Sequence, residues 1–122
     1  MTDRMDRIEK TIKREVTRML QEDINDSRIE HVTITEVEVS RDLRRAKVFF
    51  VFDGDGKEKE KAVNALKHAS KFVRGILAKR IKMKFSPEIF FQEDLSGEKE
   101  KLIDSLFEKI EKENPELKEE IE

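Results

Sequence analysis

Two segments of alternating apolar residues, 31–40 and 45–52, constrain the fold of this chain more than any other feature. Alternation with a period of two places every second side chain on one face of a β-strand. The polar residues 41–44 between the segments predict a turn that joins the two strands directly. In the first segment the apolar residues change parity near Thr35 and Glu36, which predicts a bulge or a change of burial.

Helical periodicity flanks the two strands. Residues 3–24 and 57–82 carry apolar side chains at spacings of three and four residues, which predicts amphipathic helices. The second segment is either one long helix or two helices with a break near residues 69–71. Ser86-Pro87 ends it because proline lacks an amide donor, and residues 88–93 then predict a third strand.

The C-terminal part of the chain differs from the rest in charge. A last helix is predicted from Ser96-Gly97 onward, with a stripe of apolar residues between positions 102 and 110. Residues 95–122 contain ten acids and five lysines, whereas the whole chain carries a net charge of only −2. We therefore divide the chain into a domain of residues 1–96 and a C-terminal helix with an acidic tail, residues 97–122.

Residues 67–84 contain seven Lys or Arg residues and no acid, in a chain with 28 acidic residues. Such a segment is either an ordinary solvated helix face or an anion-binding face, and the absence of acids favours phosphate binding. A second basic group lies at the turn between the first two strands. The chain has no Trp or Tyr and its eight Phe residues mostly fit core spacing. We therefore expect recognition of structured RNA through its shape and backbone more than through base stacking. The candidate RNA-binding residues are Lys67, Lys71, Arg74, Lys79, Arg80, Lys82 and Lys84 in the helix and Arg41, Arg44, Arg45 and Lys47 at the turn.

The sequence contains no pattern typical of catalysis or metal binding. It has no cysteine, and its two histidines, His31 and His68, have no companion at metal-ligand spacing. Nucleophile elbows, phosphate loops and dinucleotide fingerprints are also missing. We expect a protein that is not an enzyme and has no metal, no cofactor and no small-molecule substrate. The short apolar runs and the charged N-terminal residues predict a cytoplasmic protein without a membrane anchor.

Several runs of this sequence carry a resemblance to one protein family. The run VTITEVEVSRDLRRAKV at residues 32–48 and the helical stretch of residues 66–80 resemble, respectively, the signature of the first two strands and the helical stretch of the bacterial ribosome-binding factor A family. Pro87-Glu88-Ile89-Phe90-Phe91 together with Asp94 matches its third strand. Asp26-Ser27-Arg28 stands where that family usually has Asp-Pro-Arg. The resemblance extends over about residues 4–96.

This resemblance implies an α+β fold of the type II KH class, in the order helix–strand–strand–helix–helix–strand, here followed by the C-terminal helix. The family has an Ala-x-Gly kink between its middle helices, and the matching residues here are Ala69, Ser70 and Lys71, without the glycine. It further implies an assembly factor that binds the 30S ribosomal subunit and its 16S rRNA during late maturation, without catalysis. Support of growth in the cold and release before translation are implied as well. We expect the protein to be a monomer.

The alternative interpretation, from another functional class, is that the chain is a protein-interaction module. In that case Phe49, Val51 and the apolar stripe at 102–110 dock another chain, and the basic helix is only solvated. Salt-sensitive co-sedimentation with small ribosomal subunits favours RNA binding, because phosphate contacts weaken as salt rises. A salt-insensitive dimer favours the protein-interaction module.

Overall fold

Three strands form one sheet, and the first two helices pack together on one of its faces. The computed structural model describes residues 3–83 and 86–113. The elements are α1 (Arg4–Arg18), β1 (Val32–Val39), β2 (Arg45–Phe52), α2 (Gly56–Arg80), β3 (Glu88–Glu93) and α3 (Ser96–Glu113). A π-helical turn, Met19–Asp23, extends α1, and a 3₁₀ turn, Ser27–Ile29, precedes β1.

The central strand of the sheet is β2, which pairs antiparallel with β1 and parallel with β3. A short turn suffices for the antiparallel pair, whereas the parallel pair needs a crossover, and α2 supplies it. The register of β1 against β2 shifts between Ile34 and Glu36, so that Thr35 is an extra residue on β1. This shift confirms the bulge that the change of parity predicted.

The core lies between the sheet and the two helices. In β2 the alternate residues Ala46, Val48 and Phe50 are buried, as their spacing predicted. They pack against the apolar sides of α1 and α2, which contribute Ile12, Val16, Leu66, Val73 and Leu77. The other face of the sheet is more open: the side chains of Val51 and Phe90 are 41% and 43% exposed.

One uninterrupted helix of 25 residues, α2, occupies the segment for which one or two helices were predicted. The α+β class is as expected, but the helix–helix part of the predicted element order is corrected to a single helix. Ala69, Ser70 and Lys71 lie inside it, and the Ser70 hydroxyl donates to the Lys67 carbonyl at 2.8 Å. Glycine costs a helix interior about 1 kcal/mol relative to alanine, whereas lysine is a good helix former. The absence of a glycine at position 71 therefore removes the residue that would favour a break.

Asp94 fixes the start of α3. Its carboxylate accepts hydrogen bonds from the Ser96 amide at 2.9 Å and from the Thr35 hydroxyl at 2.6 Å. The hydrogen bonds from Ser96 and Thr35 lower the pKa of Asp94 from 3.8 to about 2. From there on α3 buries no residue, and its apolar stripe between Leu102 and Ile110 is 39–62% exposed. The acidic tail beyond residue 113 lies outside the described residues, and the domain boundary near residue 96 stays a prediction.

Candidate nucleic-acid interface

Three cations project from one flank of α2. Lys67, Lys71 and Arg74 follow one another at spacings of four and three residues, so a helix with 3.6 residues per turn places them on one side. All three are exposed, while Leu66 and Val73 are buried on another side of the helix. Among the described residues, no acid lies within 4.0 Å of these three cationic groups. Their charges are therefore available to an anionic partner.

The turn between β1 and β2 presents the second basic group on a fixed backbone. Leu43 has a φ of 62°, in the left-handed region, and its amide donates to the Ser40 carbonyl at 2.9 Å. The Asp42 carboxylate accepts from the Ser40 hydroxyl at 2.7 Å and from the Arg44 amide at 3.1 Å. These two bonds lower the pKa of Asp42. The acid of the turn is thus engaged by the turn itself, and the arginines around it are exposed. These arginines are Arg41, Arg44 and Arg45.

The helix flank and the turn meet at the beginning of β3. The Glu88 amide donates to the Arg44 carbonyl at 2.8 Å, which ties β3 to the turn. The Arg74 Nε donates to the Ser86 carbonyl at 3.2 Å, and the Ser86 hydroxyl donates back to the Arg74 carbonyl at 2.9 Å. Arg44, Arg45 and Arg74 therefore line one groove of about 400 Å³. Cations that are far apart in the sequence form one region, here called the basic surface. It comprises Lys67, Lys71 and Arg74 of α2, Arg41 and Arg44 of the turn, and Arg45 at the start of β2.

A second groove, of about 280 Å³, runs between the α2 flank and β3. It shares Arg74 and Glu88 with the first groove, and Phe90 also lines it. Ile89 is buried, whereas Phe90 is 43% exposed. The sequence interpretation assigned most phenylalanines to the core and overlooked Phe90. The alternation along β3 could have identified Phe90. Because Ile89 faces the core, the next side chain, Phe90, lies on the opposite face of the strand.

Arg80, which was predicted to bind RNA, faces α1 instead of the basic surface. Its Nη2 lies 2.8 Å from Asp23 Oδ2 and its Nη1 lies 3.7 Å from Glu15 Oε2. Arg80 follows Val73 by seven residues, which is about two helical turns, so it shares the buried side of α2. The Arg80 side chain is 31% exposed, and its guanidinium already lies between two carboxylates. Its arrangement indicates that it joins α2 to α1.

Three of the remaining predicted residues, Lys47, Lys79 and Lys82, are exposed but are not among the described residues that line the two grooves. Lys79 is exposed but lies about a third of a turn around α2 from Lys67. Lys82 is exposed just beyond the end of α2. Lys47 pairs in register with Phe90 and is exposed. Lys84 lies outside the described residues.

A further ion pair, between Arg28 and Asp26, lies in the loop before β1. Arg28 Nη2 lies 2.7 Å from Asp26 Oδ2, and the Arg28 amide donates to Asp26 Oδ1 at 3.0 Å. The hydrogen bonds from Arg28 lower the pKa of Asp26 from 3.8 to about 2. The Asp26-Ser27-Arg28 run thus has a local structural role in this loop.

The chemistry available at the basic surface is electrostatic. Arginines offer several donors in a planar fork that matches phosphate oxygens, and lysines act as flexible point charges. In the described part of the chain, residues 3–83 and 86–113, no group of three or more His, Asp or Glu side chains is placed to hold a metal ion. Within the same residues, no helix has the length and apolar character needed to cross a membrane. The arrangement suits the neutralisation of several phosphates at once.

The sequence comparisons with known proteins agree on one protein family. The family model described as ribosome-binding factor A matches residues 4–107. A curated protein named ribosome-binding factor A, from Clostridium tetani, is 42% identical over 112 residues. That alignment covers 91% of this chain and 92% of the relative.

Solved structures agree with the sequence comparison. The crystal structure of ribosome-binding factor A from Thermus thermophilus matches with a TM-score of 0.66 at 25% identity, covering 73% of this chain and 93% of that one. A homology model of the Thermus thermophilus factor, fitted into a cryo-EM map of a 30S–RbfA complex, matches with a TM-score of 0.62 at 25% identity and the same coverage. These neighbours have the KH-like fold, which confirms the predicted fold class.

Proposed function

The chain belongs to the ribosome-binding factor A family, and we propose that it binds the 30S subunit and acts in the late maturation of its 16S rRNA. The protein performs no chemical step in this proposal. It holds rRNA through the basic surface, supports subunit assembly in the cold and leaves before translation begins. The similarity to a factor that has been fitted into a 30S complex supports the choice of partner.

The observation that carries the proposal is the meeting of two basic groups at the start of β3. Arg44, Arg45 and Arg74 line one groove although they come from a turn and a helix. A surface that presents cations from two elements can contact several phosphates of one folded RNA, and each contact releases counterions. Contacts of this kind position a protein on RNA without reading its sequence.

A charge reversal on α2 tests the proposal. Replacing Lys67 and Lys71 together by glutamate should strongly weaken co-sedimentation with small ribosomal subunits. Each lost phosphate contact should flatten the log–log salt dependence by about 0.7–0.9. Stability should change little, because exposed substitutions usually alter it by less than about 0.5 kcal/mol.

The same helix provides a matched control. Lys57 and Lys61 are exposed on α2 with the same spacing of four residues, but they lie outside the basic surface. Their reversal to glutamate changes the net charge equally and should leave subunit binding nearly unchanged. Equal loss in both variants would mean that only the net charge matters. Unchanged affinity and salt slope in the Lys67/Lys71 variant would exclude the basic surface as the contact.

One observation favours the second candidate function, a protein-interaction module: the apolar stripe of α3 is exposed. Its five residues are Leu102, Ile103, Leu106, Phe107 and Ile110. Truncation after Gly97 separates the two candidates, because α3 contributes no buried residue and its removal should leave the body folded. If the basic surface carries the function, the truncated chain still binds small subunits. If the stripe carries it, binding is lost while circular dichroism shows a folded body.

A further inference from the structure

One aromatic ring is exposed among the cations of the interface. Phe90 is 43% exposed on edge strand β3 and lines the groove beside α2, with Lys67 and Lys71 on the α2 side. On the other side, Lys47 of β2 is the register partner of Phe90. Phe91 also lines the groove, but it is only partly exposed and packs against the core. Among the residues that the structure describes, Phe90 is therefore the ring of this groove that a ligand can reach.

An exposed phenylalanine in such a setting needs a physical explanation. Full burial of its side chain would stabilise the fold by roughly 1.5–3 kcal/mol, so the open position gives up stability. An aromatic face beside a positively charged groove is the arrangement that proteins use to bind single-stranded nucleic acid. Bases stack on the ring, and the groove follows the phosphates, at roughly 1–3 kcal/mol per stacked base.

We propose that Phe90 stacks on an unpaired base of RNA while Lys67, Lys71 and Arg74 hold the neighbouring phosphates. This inference rests on the proposed function and narrows the ligand to a single-stranded stretch. A base inside a duplex already has neighbours on both faces and cannot stack on a protein ring without leaving the helix. The arginines at the turn contact the backbone of folded RNA. Phe90 receives a nucleotide that extends out of the folded RNA.

The charges around the groove set the direction in which the nucleotide lies. Glu88 lines the groove near Arg74, and its carboxylate repels phosphate. No acid of the described residues lies within 4.0 Å of the Lys67 or Lys71 ammonium group, so the phosphates lie towards these two lysines. The Ser70 hydroxyl donates to the Lys67 carbonyl at 2.8 Å, which leaves its lone pairs to accept from a base or ribose.

The chain provides a matched control for a test. Phe72 is 49% exposed on α2 and lines a different groove, formed with the segment that follows α1. Replacing Phe90 by alanine should weaken binding of an oligouridine of about ten nucleotides by roughly 5- to 150-fold. Binding of an RNA duplex should stay the same, because phosphate contacts alone hold it. Phe72→Ala should change neither affinity.

Photocrosslinking identifies the contact directly. A single 5-iodouridine in the oligouridine should crosslink to Phe90, as mapped by mass spectrometry, and the crosslink should disappear in Phe90→Ala. Phe90→Leu keeps the apolar bulk without the ring, so it should fold normally and still lose most of the affinity. Single-strand affinity equal to that of the parent in either variant would overturn the inference. Equal loss of single-strand and duplex binding would do the same.

The outcomes distinguish this inference from the proposed function. If the Lys67/Lys71 reversal abolishes subunit binding but Phe90→Ala leaves the oligouridine bound as before, only the stacking site is wrong. If the oligouridine depends on Phe90 while small subunits do not bind the parent protein, only the proposed partner is wrong.

Discussion

Replacing Phe50 by alanine should lower the free energy of unfolding by about 3–5 kcal/mol. Phe50 is 2% exposed in the central strand, in register with Ile34 of β1 and Glu93 of β3. Its carbonyl accepts from the Asp94 amide at 2.7 Å, so the backbone at this point is held from both sides of the strand. A site enclosed in this way cannot collapse into the space that the ring leaves, and the loss should lie in the upper half of that range.

Urea unfolding followed by circular dichroism measures the effect. The midpoint should fall while the m-value stays constant, since the surface exposed on unfolding hardly changes. Domains are stable by roughly 5–15 kcal/mol in total, so a loss of this size is easily resolved. Val51→Ala, one residue along the same strand but 41% exposed, should cost less than about 1 kcal/mol. A loss below about 1 kcal/mol for Phe50→Ala would show that the inner face of the sheet is assigned wrongly.

Two further predictions concern charged groups. Arg80→Ala should lower the free energy of unfolding by up to about 1 kcal/mol, because the partly exposed carboxylates of Glu15 and Asp23 lose their partner. Denaturant unfolding measures this loss. The substitution should leave subunit binding nearly unchanged, because Arg80 lies outside the basic surface and pairs with Glu15 and Asp23. A loss of subunit binding without a loss of stability would show that Arg80 contacts RNA. Asp94 has a pKa of about 2 in the fold, below its usual 3.8, so it stabilises the protein above pH 3.8 and this stabilisation is lost as the pH falls towards 2. Asp94→Asn should therefore be less stable at neutral pH and lose less stability between pH 4 and pH 2, whereas parallel stability curves for the two proteins would contradict this.

The elements that could be predicted are those specified by local pattern. The alternation in β1 and β2 predicted both strands, the turn and the bulge, because each face of a strand repeats every two residues. The bulge could be located because one inserted residue exchanges the two faces, and the structure has this residue at Thr35. The number of helices in 57–82 could not be decided from periodicity, since a break changes the backbone without changing which residues are apolar.

The details of the interface depend on contacts between distant parts of the chain. A charge run shows that cations are present but does not show which of them meet acids in space. Arg80 belongs to the same run as Lys71, yet its pairing with Glu15 and Asp23 exists only because α1 packs beside α2. The meeting of Arg74 with Arg44 likewise requires the parallel pairing of β3 with β2, which no local pattern specifies.

A net charge of −2 does not argue against RNA binding, because the start of α3 lies apart from the basic surface. α3 begins beside the N-terminal end of α2, where Gly97 and Glu98 line a groove with Asp55 and Gly56. A helix rises about 1.5 Å per residue, so Lys67 lies roughly 16 Å along α2 from that end. This distance exceeds the screening length of about 8 Å at physiological salt, so charges at the start of α3 act only weakly on a phosphate held at the basic surface. Truncation after Gly97 should accordingly strengthen RNA binding at low salt, where the screening length is about 30 Å at 0.01 M, and have little effect at physiological salt.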